Sequence, residues 1–153
     1  MKYVLGAALI GAIGVGYFTM KTSPVQTAGI LPYNNSEIVA HGATVYVDFC
    51  ASCHGEKLEG QPDWQELDEY GYRPAPPHDE TGHTWHHNDD LLIRITTLGS
   101  EAVVGGGYKS YMPGFGDMLS DDDILAVLAY IKSTWPAAII QQHNQVNLAA
   151  KAG

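Results

Sequence analysis

The sequence predicts an all-α domain with long loops. Three stretches, at 36–49, 91–98 and 120–135, repeat apolar residues at helical spacing behind capping residues, and no stretch alternates apolar and polar residues as a half-buried strand would. With 153 residues, 45% hydrophobic and 16% charged, the chain suits one folded domain with a modest core. That composition excludes a disordered acidic tail, and a count of 2 cysteines excludes a disulfide-dense scaffold.

Residues 3–20 are uncharged and flanked by Lys2 and Lys21. As a helix they would reach about 27 Å, enough for a bilayer core. A short positive start before an apolar run also describes a secretory signal, but the cleavage candidates are poor: Gln26-Thr27-Ala28 is bulky three positions back, and Thr27-Ala28-Gly29 is only tolerable. An uncleaved transmembrane anchor is therefore favoured over a cleaved signal. Both readings export the chain to the periplasmic or outer face of the cytoplasmic membrane. The expected organisation is an anchor or signal at 1–21, a linker at 22–34, the domain at 35–136, and a tail at 137–153 that could add a short helix.

The chain carries 17 acidic against 8 basic side chains, a net charge of −9, and no acid precedes Glu37. So acidic a domain repels phosphate backbones and anionic headgroups, which excludes nucleic acid as a partner. A redox protein with a basic docking surface is the expected partner.

In the first helix Val39, Gly42, Ala43 and Tyr46 form one apolar face, with Asn35 or Ser36 as cap. It runs into Cys50-Ala51-Ser52-Cys53-His54, which holds both cysteines of the chain. Thiols at this spacing can each add to a vinyl group of the same haem, and the adjacent histidine is placed to ligate its iron. A structural zinc site wants four ligands, and a thioredoxin-like pair wants a preceding strand; neither fits. One covalent haem c is the expected cofactor, with Cys50 and Cys53 attached and His54 proximal. Downstream, Met112 in Tyr111-Met112-Pro113-Gly114-Phe115 offers a soft, neutral sixth ligand that favours reduced iron.

These residues resemble the class I c-type cytochromes of bacteria over about 36–135. Four features carry the resemblance in order: the Gly42 and Tyr46 helix, the attachment motif, Met112-Pro113-Gly114-Phe115, and a last helix with Tyr130. The resemblance implies first and last helices crossing at right angles, with Gly42 allowing close approach and Tyr46 and Tyr130 packed at the crossing. It also implies that Pro76 or Pro77 contacts His54.

Periodicity supports the later helices independently. Asn88-Asp89-Asp90 caps a middle helix that Gly99 stops. Ser120-Asp121-Asp122-Asp123 opens the last, whose buried stripe is Ile124, Leu125, Leu128 and Ile131, and Pro136 ends it. Gly105-Gly106-Gly107 reads as a tight turn or as a source of mobility before Met112. Residues 60–87 form a long aperiodic loop holding His78, His83, His86, His87 and Trp85. His83, His86 and His87 are candidates for a second metal, and the favoured reading is a polar rim in which Trp85 and a histidine bond the haem propionates.

The functional expectation is a one-electron carrier between exported or membrane-bound redox partners, not an enzyme on its own. The alternative is a haem subunit of a larger oxidase or dehydrogenase, with a copper enzyme touching the histidine loop. A gas sensor would need Met112 absent or displaceable.

Overall fold

Asn35 starts the first helix, α1 (Ser36–Phe49): its side-chain oxygen accepts from the backbone N–H groups of Glu37 at 3.0 Å and Ile38 at 3.2 Å. Two donors that the helix leaves unpaired are thereby satisfied. The chain turns at Cys50 into the four-residue α2 (Ala51–His54), which Gly55 ends. A 3-10 turn, Thr84–His86, lies late in the long loop. The computed structural model describes residues 29–152.

Asn88 caps α3 (Asp89–Leu98) by accepting from the N–H of Leu91 at 2.8 Å. After Gly99 comes α4 (Ser100–Val104), too short to show a period in the sequence. Ser120 and Asp123 then form a reciprocal capping box on α5 (Asp121–Ser133). The tail is α6 (Ala137–Ala152), longer than the short helix expected. Ile139 and Ile140 pack on the core in its first turn, but its fully buried residues are His143, Asn144 and Asn147, so no continuous apolar stripe betrays it. Among the described residues no strand forms, only an isolated parallel bridge between Arg73 and Ser110.

The core sits where α1 packs against α5. A Cβ on Gly42 would lie 1.9 Å from the carbonyl oxygen of Ala126, so only glycine allows this approach. Tyr46 and Tyr130 meet beside it with ring centroids 5.5 Å apart, as the resemblance implied. Val45, Tyr46, Leu92, Phe115, Ile124, Val127, Leu128, Ile131 and Trp135 are buried in this one cluster.

A second, polar layer ties α3, α5 and α6 to the start of the described chain. The Asp89 carboxylate accepts from the N–H groups of Ile30 at 2.6 Å and Leu31 at 3.3 Å, and from the Asn147 amide at 3.1 Å. Buried Lys132 donates to Asn144 at 2.9 Å and lies 4.7 Å from the centroid of the Tyr33 ring. Residues 29–33 are thus docked on the domain. The anchor expected at 3–20 lies outside the described residues; within them no helix is long and apolar enough to cross a membrane.

Candidate haem site

The attachment motif wraps the corner between α1 and α2, which leaves Cys50 half-buried against the core and Cys53 exposed. No disulfide joins them. Burial, and then the neighbouring Cys53, pushes the Cys50 thiol up to about 11. A redox-active pair or a metal thiolate needs the opposite shift, so the environment favours a neutral thiol held for covalent attachment.

His54 is buried, and its Nδ1 lies 2.8 Å from the carbonyl oxygen of Pro76. A carbonyl can only accept, so Nδ1 carries the proton and Nε2 presents its lone pair. Burial also lowers the affinity of the ring for a second proton, although the Pro76 contact opposes this. Neutral, oriented and with Nε2 free, the imidazole is in its iron-ligating form.

The face of the His54 ring is covered by His78, stacked at 3.9 Å with 21° between planes. His78 is itself fixed, because its Nδ1 lies 2.8 Å from the Thr84 hydroxyl and its carbonyl accepts from the Trp135 indole at 2.7 Å. Burial and the two neighbouring histidines hold His78 well below the usual histidine range, so it too stays neutral. The sequence marked His78 only as one of a histidine-rich loop. Its place against His54 follows from the course of the chain through Pro76, whose carbonyl meets the same ring, and no periodicity announces it.

Met112, the expected distal ligand, is half-buried against the same core cluster. The Ser100 hydroxyl lies 3.5 Å from its sulfur, and its N–H donates to the Ser110 hydroxyl at 3.1 Å. The segment behind it is pinned to α3, with the N–H of Phe115 on the Thr96 carbonyl at 2.9 Å and that of Gly116 on the Thr97 carbonyl at 3.0 Å. Gly105, Gly106 and Gly107 all have positive φ, and the N–H of Tyr108 bonds back to the Gly105 carbonyl at 3.0 Å. They make a tight turn that only glycine forms in succession.

The histidine loop divides. His83 stacks on Trp64 at 5.2 Å and meets His87 edge-on at 5.2 Å, whereas exposed His86 packs on Trp85. Among the described residues no three His, Cys, Asp or Glu side chains converge as a metal site. Two buried nitrogens in this loop have no partner in the protein: Trp85 Nε1, which can only donate, and His83 Nδ1, which donates in one of its two tautomers. Such orphans are costly and call for acceptor oxygens, which haem propionates supply. Thiols, imidazole, thioether and orphaned donors together fit a haem.

A helical domain with this corner motif and a neutral, oriented histidine defines a c-type haem protein. The comparison with known families agrees: the model of the cytochrome c family matches residues 39–135, well over half of the chain. The chain belongs to the cytochrome c family, in its class I branch, and binds haem c covalently. It is 27% identical to the cbb3-type cytochrome c oxidase subunit FixP of Sinorhizobium medicae (strain WSM419), over 95% of this chain and 52% of that protein. It therefore spans about half the length of this curated relative. No solved structure matches the chain.

Proposed function

We propose that this protein is a one-electron carrier in which His54 and Met112 ligate the haem iron. The observation that carries the reading is the tautomer of His54. Its Nδ1 is committed to Pro76, its ring plane is set by His78, and Nε2 is free for iron. Haem, when bound, supplies the ferrous/ferric couple. The chain does the rest: Cys50 and Cys53 fix the group covalently, and Met112 offers a neutral sulfur that favours the ferrous state. Trp85 and His83 offer donors to the propionates, and the core cluster excludes water. In this reading the chain is exported, is held at the membrane by residues 3–20, and meets partners with a basic surface through its acidic one.

An optical redox titration of the haem-loaded protein tests this reading. The expected result is a positive midpoint potential with a methionine-to-ferric-iron absorption band. A low potential without that band would point instead to bis-histidine or open ligation. A second reading has one observation in its favour, the similarity to an oxidase subunit over nearly the full chain. In that reading the domain is the haem subunit of a larger oxidase, and co-purification of a catalytic subunit distinguishes it from a free carrier.

A further inference from the structure

Tyr111, immediately before Met112, is gripped from outside by the tip of the 60–87 loop. Its ring stacks on Tyr72 at 4.3 Å with 18° between planes, and its hydroxyl donates to Asp68 Oδ2 at 2.9 Å. The other oxygen of the same carboxylate accepts from the N–H groups of Tyr70 at 2.9 Å and Tyr72 at 2.8 Å. Asp68 therefore both folds the loop tip and reaches across to the distal segment. Lys109 adds a bond to the Tyr70 carbonyl at 3.4 Å and lies 5.4 Å from the centroid of the Tyr72 ring. The Arg73–Ser110 bridge closes the seam.

Core packing does not account for this cluster, since Tyr111 is 59% exposed and Tyr70 65%. A stacked pair and a charge-assisted hydrogen bond at the surface are ordered groups whose one shared consequence is the position of residues 109–112. Those residues hang between two fixed points. On one side Glu101 accepts from the N–H of Ser110 at 2.9 Å; on the other stands the loop tip. The glycine turn at 105–107 is exposed, and a Cβ added at any of its three positions would meet nothing within 4 Å, so no side chain packs over it.

We infer that Asp68, Tyr72 and Tyr111 form a latch that holds the Met112 segment in its ligating position and sets how fast an external ligand reaches the iron. These are positioning residues, acting through Met112, and the inference rests on Met112 being the distal ligand as proposed above. Opening the latch leaves the haem attached and the core intact. It frees only the sixth site.

The test is stopped-flow displacement of Met112 by imidazole in the haem-loaded ferric protein, followed through loss of the methionine-iron band. At saturating imidazole the rate reaches a plateau equal to the opening rate of the segment. Tyr111→Leu, which loses stack and hydroxyl, raises that plateau about tenfold; Tyr111→Phe, which keeps the stack, raises it about threefold. Asp68→Ala probes the latch from the loop side and raises the plateau likewise, so the question stays decidable if one variant fails to load haem. Asn35→Ala, which weakens α1 far from the distal side, leaves the plateau where it was. An unchanged plateau in Tyr111→Leu and Asp68→Ala with the band present overturns the latch, as does an equal rise in Asn35→Ala. Absence of the band from the unsubstituted protein overturns the ligand assignment itself, which separates the two failures.

Discussion

Because Pro76 offers only a carbonyl oxygen to Nδ1 of His54, and His78 lies flat against the ring, the His54 imidazole has one tautomer and one plane. Met112 has no such rigidity; a thioether is flexible, and Ser100 at its sulfur with Ser110 at its N–H supplies the restraint. Replacement by alanine admits water or hydroxide, harder donors that favour ferric iron. Met112→Ala is expected to lower the midpoint potential by on the order of 100 mV, about fiftyfold in the ferrous-to-ferric ratio at 59 mV per decade. It should also let carbon monoxide bind the reduced protein; potentiometry and carbon monoxide difference spectra check both. Cys50, Cys53 and His54 were legible in the sequence because the chemistry sits in five consecutive residues. His78 was not, since a stacking partner 24 positions away in an aperiodic loop leaves no local signal. Tyr111 and Asp68 were hidden for the same reason.

Helices α1 and α5 show what a single missing methyl permits. At Gly42 an added Cβ would meet backbone, 1.9 Å from the Ala126 oxygen and 2.5 Å from its carbon, and backbone inside a helix cannot step aside. Gly42→Ala must push the two helices apart where Tyr46 and Tyr130 interlock. The expected cost is about 3 kcal/mol, or roughly 10 °C or more in the melting temperature of a domain this size, measured by thermal circular dichroism. Helices with apolar faces and good caps were legible: Asn35, Asn88 and Ser120 each stand where a cap belongs, and α1, α3 and α5 follow them. What escaped is instructive. In α4 five residues are fewer than two turns, so no period can appear. In α6 only Ile139 and Ile140 reach the core, and the fully buried residues are His143, Asn144 and Asn147, stabilised by hydrogen bonds made to groups 12 or more positions away. Hydrophobic periodicity is blind to a helix that packs through amides.

Those amides join distant parts of the chain into one acid-sensitive unit. His143 is fully buried; its Nε2 lies 2.9 Å from the His87 carbonyl and 3.4 Å from Asp89 Oδ1, while its Nδ1 has no partner. Lys132, from α5, and Asp89, from α3, face the same ring, and Trp135 meets it edge-on at 5.1 Å. Burial first, and then the Lys132 ammonium, lower the His143 pKa to about 4 against the pull of Asp89 and of the His87 carbonyl. In the unfolded chain the ring titrates near its ordinary value of about 6.5. Below pH 6.5 the unfolded state therefore binds a proton that the folded state refuses until about pH 4. Stability contributed here is full above 6.5, falls across that window, and is constant below it, a loss of about 3 kcal/mol at most. Other carboxylates titrate in the same range, so the measurement is a difference. Denaturant midpoints of the haem-loaded protein and of His143→Gln, taken every half unit from pH 7.5 to 3.5, should converge as the pH falls, because glutamine has no proton to gain. Parallel curves would show that His143 is not the sensor. Since Asp89 also holds the N–H groups of Ile30 and Leu31, the same acid transition should loosen residues 29–33 from the domain. Amide hydrogen exchange at Ile30 and Leu31 should then rise in the unsubstituted protein at pH 4.5 and less so in His143→Gln.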